Sequence, residues 1–357
     1  MTLAAGLQGK IPVAVYGATG SVGQRFVCLL AEHPWFEVVA LCASEGRVGQ
    51  RYGQSVTWVQ SEPIPGRLAE FELQSCAPRS NCPIVFSALD ALSAGSIERS
   101  LAADGVLVVT NAGAHRMDAD VPLLVPEVNP EHLKLLPESG GAILANPNCA
   151  AIGLSLALAP LERALGVKRA QVVSLQAASG AGYPGVASLD LIDNVIPFIA
   201  GEEQKLESEV AKILGDVRDG TIREHGIVVS AQCNRVPVLD GHVLSVSVEL
   251  EGRADEASLR ALWDSFSGLP QECSLPSAPE RPTVFLAPPE VPQPRLHRNI
   301  GGGMSVVIGA LKPCSILDWR FVALSHNTVR GAAGGALLAA ELVVARQADR
   351  FRAWRRG

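Results

Sequence analysis

The sequence predicts an α/β protein: a doubly wound parallel sheet followed by an α+β domain whose sheet is mostly antiparallel or mixed. Three observations predict it. Up to about residue 145, short apolar runs alternate with segments of helical apolar spacing, as a parallel sheet with helical crossovers reads. A glycine turn, residues 16–23, separates the first run from the first helical segment, where a Rossmann-like fold places its phosphate loop. Past Asn146 and Pro147 the texture changes, and residues 242–249 alternate apolar with polar, as a half-exposed antiparallel strand does. A length of 357 residues, at roughly 150 per domain, agrees with two domains.

Taken in order, residues 11–15 are a short apolar run suited to a buried strand, and residues 24–32 a helix. Strands follow at 36–42, 84–87, 106–110 and 142–144, with a helix at 94–104. Residues 152–165 are apolar with helical period, 170–176 form a strand, and 179–185 a second glycine-rich turn. A long helical stretch comes next, broken near Pro197 and Gly201. Residues 276–296 hold many prolines and read as loop. The last helix, 329–345, is rich in alanine and glycine and therefore suited to close packing. The expected division is 1–148 for a nucleotide, completed by 329–357, and 149–328 for the second domain.

Composition excludes several function classes. Thirty basic against 36 acidic residues, a net charge of −6, leave no footprint for nucleic acid. No apolar stretch approaches the ~18 residues of a membrane span, and residues 1–10 lack the pattern of a signal peptide. Eight cysteines without a CxxC pair point to reduced thiols in a cytoplasmic protein, with no metal site. The one basic cluster, Arg346, Arg350, Arg352, Arg355 and Arg356, reads as a solvated helix end.

Two places carry chemistry. Gly17, Gly20 and Gly23 are spaced GxxGxxG between a strand and a helix. There the backbone can approach a pyrophosphate that faces the positive end of the helix dipole. Just past the second strand, Ser44 and Arg47 could cradle a ribose 2′-phosphate, which favours NADP, while Glu45 leaves NAD open. Elsewhere, Cys149 follows a turn made by Asn146, Pro147 and Asn148, and the helical pattern starts immediately after it. A thiol at a helix start is expected to ionise more readily and to find N–H groups for an oxyanion. His242, at the mouth of a strand with Arg235 seven residues before it, is a candidate proton-handling partner.

These residues lie in longer strings: GATGSVGQRF (17–26), NAGAHRMDADVPLLVPEVNP (111–130), NPNCA (146–150), QAASGAGYPGV (176–186), DNVIPFIAGEEQK (193–205), CNRVPVLDGH (233–242) and LSHNTVRGAAGG (324–335). Together and in order, the chain resembles the aspartate-semialdehyde dehydrogenase family, in its archaeal and fungal branch. The resemblance implies reduction of L-aspartyl 4-phosphate to the semialdehyde with NADPH, in aspartate-family amino-acid biosynthesis. It makes Cys149 the nucleophile that forms a thioester, His242 the acid/base group and Gln176 the residue that orients the acyl group. Arg235 would pair with the substrate carboxylate and Glu202 with its ammonium, while Lys205, Asn111 and Arg116 would hold phosphate. The expected cofactor contacts are Gly17, Thr19, Gly20, Ser21, Val22, Ser44, Arg47, Ser87, Ser179, Gly180 and Asn327. The family forms homodimers and homotetramers through the second domain.

The charges agree with that implication. Arg235 offers a planar fork to a carboxylate, and Glu202 and Lys205, three apart on a helix, share one face. The chain departs from the branch's usual text at Gly46-Arg47, at Ala310 where arginine is common, and at His297 where an acid is frequent. Two other readings differ in what they require. A related reductase of another acyl phosphate or acyl-CoA, such as malonyl-CoA, would not need Arg235 and Glu202. A nucleotide-binding redox sensor without turnover would not need Arg235, Glu202 and Lys205 as a set.

Overall fold

A computed structural model describes residues 9–77 and 81–354. Met1–Gln8, Arg355 and Arg356, which entered the readings of the two ends of the chain, lie outside the described residues. Strands β1 (Ile11–Tyr16), β2 (Phe36–Ala43), β3 (Gln74–Ser75), β4 (Ile84–Ser87), β5 (Leu107–Thr110) and β6 (Ala142–Ala145) form one parallel sheet, in the order β3-β2-β1-β4-β5-β6. Its central strands are buried on both faces, as their unbroken apolar runs require. Helix α1 (Ser21–Leu30) follows β1, and α2 (Ala91–Ala103) follows β4. Helix α2 starts three residues earlier than its apolar spacing suggests, because the Asp90 carboxylate caps Leu92 N–H and Ser93 N–H, each at 3.0 Å.

Helix α3 (Cys149–Leu165) then runs through the middle of the molecule, buried from Ala150 to Leu161. Against it lies a second sheet of β7 (Val167–Gln176), β10 (Val228–Arg235), β11 (His242–Leu250), β12 (Thr283–Phe285), β13 (Val306–Pro313) and β14 (Trp319–Ser325), in the order β10-β7-β11-β14-β13-β12. The pairs β10–β7 and β12–β13 are parallel and the rest antiparallel, so the sheet is mixed. A small hairpin, β8 (Asp216–Arg218) with β9 (Thr221–Arg223), stands apart.

Several expectations needed correction. Helix α3 begins at Cys149 rather than at 152, because the Asn148 side chain caps it. The proline-rich stretch 276–296 is not all loop. It supplies edge strand β12, a place where flanking prolines are tolerated, and a helical turn at Pro294–His297. As expected, the helical stretch after 185 is broken around Pro197 and Gly201, into a turn at Ser188–Leu191 and α4 (Glu202–Ile213). Strand β10 went unread because its outer half is an edge, where Val229 and Ala231 are only partly buried and alternate with exposed Val228, Ser230 and Gln232. The last helix divides into a π turn at Val329–Ala333 and α5 (Gly334–Arg346). Helix α5 is buried all round from Gly334 to Val344, against α1 and β5. The chain thus returns to the first sheet. Of the basic cluster, Arg346 and Arg352 are exposed as read, while Arg350 is half-buried and donates to the Pro137 carbonyl at 3.2 Å beside the fully buried Phe351.

Candidate active site

The backbone of the N-terminal end of α3 is held by side chains. Asn148 Oδ1 accepts from Ala150 N–H at 2.9 Å and Ala151 N–H at 3.3 Å, so two of the helix's free donors are satisfied. Cys149 stands next, half-buried, with Sγ 3.1 Å from His242 Nε2. On the other side of the ring, Ala177 N–H donates to Nδ1 at 3.0 Å. A backbone N–H can only donate, so the neutral ring carries its hydrogen on Nε2 and directs it at sulfur.

The expectation of a readily ionised thiol is not met. Burial pushes the Cys149 thiol up to about 12, assisted by the Glu202 carboxylate, against the opposite pull of Arg116, Ala150 N–H and Arg235. Burial, with Arg235 nearby, pushes His242 down to about 3. Both partners are neutral at rest. The helix end favours a thiolate, but desolvation outweighs it.

The second sheet brings three residues to one end. Gln176 and Arg235 face each other across the last rung of the β7–β10 ladder, and His242 opens the antiparallel β11 beside them. Arg235 is 6% exposed, and its Nη1 donates to the Ala177 carbonyl at 2.8 Å. One half of its fork therefore stays available. Gly180 lies against both: a Cβ there would meet Arg235 Nη1 at 2.7 Å and His242 Cε1 at 3.0 Å.

Helix α4 contributes Glu202 and Lys205, whose side chains pair at 2.9 Å. Glu202 also accepts from Asn148 Nδ2 at 2.9 Å and Gln176 Nε2 at 3.2 Å. Burial pushes its carboxyl up, but Lys205, Asn148 and Gln176 together hold it below the usual carboxylate range. The loop after β5 brings in Asn111 and Arg116. Arg116 pairs with Glu209 at 3.1 Å and donates to the Asn111 carbonyl at 2.9 Å. Asn111 Nδ2 and Arg116 Nε are buried donors without a partner, as a site that awaits an anion would keep them.

On the other flank, the turn before α1 fits a nucleotide phosphate. Gly17 has φ +73°, a Cβ there would strike the Ala88 carbonyl, and a Cβ at Gly23 would meet Ala18 Cα at 2.7 Å. No side chain caps Gly20, which leaves the helix start at Ser21 and Val22, beside Thr19, open to a ligand. A cavity of about 380 Å³ separates α1 from the second glycine turn, with Ser21, Arg25, Ser179 and Thr328 in its walls. Among the described residues Arg25 is the one cation in those walls; four residues past Ser21, it lies one helical turn further on. Ser44 is exposed, and Arg47 Nη1 donates to the Ser55 carbonyl at 2.6 Å. Glu45 is turned away toward the Ser75 hydroxyl.

Two expected cofactor contacts are otherwise engaged. The Ser87 hydroxyl is fully buried and donates to Glu98 at 2.6 Å, so its side chain is withdrawn from a nucleotide. Asn327 ties together two loops of the second domain: Nδ2 donates to Ser179 Oγ, and Oδ1 accepts from Gly241 N–H, both at 2.8 Å. One amide hydrogen remains. Glu209 and Lys212 were also missed, and only their spacing from Glu202 on α4 could have flagged them. No group of metal-ligating side chains occurs among the described residues.

The turn before α1 can take a nucleotide phosphate, and the Cys149–His242 pair stands at the start of α3. Residues 12–136 match the model of the semialdehyde dehydrogenase NAD binding domain, and residues 158–330 that of the semialdehyde dehydrogenase dimerisation domain. The aspartate-semialdehyde dehydrogenase of Archaeoglobus fulgidus is 45% identical over 342 residues, 94% of this chain and 98% of that one. That of Schizosaccharomyces pombe is 42% identical over 348 residues, 93% and 97% of the two chains. The crystal structure of the Candida albicans enzyme with NADP superposes with a TM-score of 0.89 at 39% identity, over 95% of this chain and 99% of that one. The chain belongs to the aspartate-semialdehyde dehydrogenase family.

Proposed function

We propose that the protein reduces L-aspartyl 4-phosphate to L-aspartate 4-semialdehyde with NADPH and releases phosphate, the cytoplasmic step expected from the sequence. The observation that carries this reading is the 3.1 Å Cys149–His242 contact, ringed by a buried arginine, a Glu202–Lys205 pair and the unpartnered donors of Asn111 and Arg116. Those groups complement a substrate that bears a carboxylate, an ammonium and a phosphate. Arg235 takes the carboxylate, Glu202 the ammonium, and Arg116, Asn111 and Lys205 the phosphate. Gln176, tied to Glu202, orients the acyl group.

Attack by Cys149 Sγ forms a C–S bond and breaks the C–O bond to phosphate, and the thiol proton leaves with the departing phosphate. The Nε2–H of His242 steadies the charge that develops, first on sulfur and then on the carbonyl oxygen. Bound between the glycine turn of α1 and Ser179-Gly180, NADPH supplies the hydride. Cys149 then regains its electron pair as the C–S bond breaks and the aldehyde departs, and the thiolate takes a proton from solvent to restore the thiol. Holding the acyl carbon on α3 against a cofactor on the other flank makes the transfer effectively unimolecular. Ser44 and Arg47 favour NADP, as the solved Candida albicans enzyme contains.

The reading divides the chain at 148, with 329–357 returning to the nucleotide side. It makes the protein a homo-oligomer. Ile192, Val195 and Phe198 are exposed apolar side chains around Ile196, which bridges to Arg235 of edge strand β10, a face that a second copy would cover. The test is the reverse reaction, with aspartate semialdehyde, phosphate and either NADP or NAD. Phosphate-dependent formation of reduced nicotinamide, lost in Cys149→Ser, supports the reading; its absence in the wild type overturns it.

A further inference from the structure

Glu202, Lys205, Glu209 and Lys212 are spaced three, four and three apart, so they line one face of α4. The first two belong to the substrate site above. The second two touch no substrate group in that reading, yet both are buried charges, at 2% and 3% exposure, and both are fully engaged. Glu209 divides its carboxylate: Oε1 accepts from Arg116 Nη1 at 3.1 Å, and Oε2 accepts the backbone N–H of Asn148 at 2.5 Å. Lys212 Nζ donates to the carbonyls of Arg116, Asp118 and Val121 at 2.7, 2.8 and 3.0 Å, which ties down the loop that carries Arg116. A buried carboxylate is tolerated only while its oxygens are satisfied, so each contact constrains the other. One oxygen serves the phosphate loop, and the other serves the residue that caps the Cys149 helix.

We propose that Glu209 is a positioning residue that holds Arg116 and the N-terminus of the Cys149 helix in one register, so that a single buried carboxylate sets both anion binding and nucleophile placement. Lys212 serves the loop alone. The proposal rests on the reading of Arg116 as a phosphate ligand.

The reverse reaction separates the roles. Glu209→Gln keeps the shape, but its amide must turn a donor toward either Arg116 or Asn148. The KM for phosphate is expected to rise about tenfold or more, while the KM for the aldehyde stays within about twofold. Alkylation of Cys149 by iodoacetamide, followed against pH, is expected to reach its midpoint at lower pH, because a negative charge has left the helix start. Of the other charged groups that face the thiol, His242 on β11, Glu202 on α4 and Arg235 on β10 keep their contacts in this variant, and Arg116 on its loop loses Glu209 but keeps its bond to the Asn111 carbonyl. Lys212→Met is expected to raise the phosphate KM and leave the alkylation profile at wild type. A Glu209→Gln enzyme with wild-type phosphate KM and alkylation profile overturns the proposal, as does one in which both KM values rise together. If Glu209→Gln does not fold, Glu209→Asp, which keeps the charge but cannot reach both partners, takes its place, and a wild-type phosphate KM in it overturns the proposal. A wild-type phosphate KM in Arg116→Gln would instead remove Arg116 as the phosphate ligand, and the alkylation profile of Glu209→Gln would still decide the hold on the helix.

Discussion

Cys149 Sγ lies 3.1 Å from His242 Nε2, and burial keeps both groups neutral, the thiol pushed up to about 12 and the imidazole down to about 3. The pair is therefore quiet until a substrate brings charge to it. In the free enzyme, alkylation of Cys149 by iodoacetamide should be slow at pH 7 and accelerate through the alkaline range. His242→Asn should lower kcat of the reverse reaction by about 10²–10³-fold, the contribution of one well-placed proton-handling or oxyanion-holding group. A variant that kept the full rate would remove His242 from the mechanism and leave the role of Cys149 intact.

The same neutrality has a signature in stability. Burial lowers His242, His326 (to about 4) and His132 from their ordinary values, so each takes up its proton on unfolding well before it does so in the folded state. Between about pH 6.5 and 4 the unfolded chain binds more protons, and stability must fall as pH falls. Urea unfolding at pH 7, 6 and 5 should show that loss. His242→Gln, which cannot titrate, should make the slope between pH 6.5 and 5 shallower; an unchanged slope would show that His242 is protonated in the fold.

Arg235 donates one arm to the Ala177 carbonyl and keeps the other for a ligand. Arg235→Lys offers a point charge where a planar fork is needed. The KM for aspartate semialdehyde should rise about 10–100-fold with the KM for phosphate near wild type. A rise in the phosphate KM alone would transfer Arg235 to the other end of the substrate.

Gly180 leaves no space for a side chain between Arg235 and His242. Gly180→Ala should displace one or both. A loss of kcat/KM of at least about 10²-fold is expected, with about 1–3 kcal/mol of stability lost to overpacking. Steady-state kinetics beside a thermal melt would check it, and near-wild-type kinetics would mean that the loop relaxes freely.

Much of this protein could be read from sequence because local patterns reflect local physics. Apolar runs announced the first sheet, the glycine turn before α1 announced the phosphate loop, and a turn before a helix start singled out Cys149 among eight cysteines. Strand β10 and the edge strand β12 went unread, because an edge needs only one apolar face and tolerates proline. Arg235 was noticed for its place before His242, but only the resemblance to a family, not charge or spacing, nominated Glu202 and Lys205. What no local pattern contains is the set of partners a side chain meets after folding. Only the tertiary structure turned Ser87 toward Glu98, tied Asn327 between Ser179 and Gly241, and brought Glu209 to both Arg116 and Asn148. It also reversed the expected ionisation of Cys149. A helix start acts through adjacent backbone and can be read in the chain, whereas desolvation comes from everything packed around the sulfur and exists only in the fold.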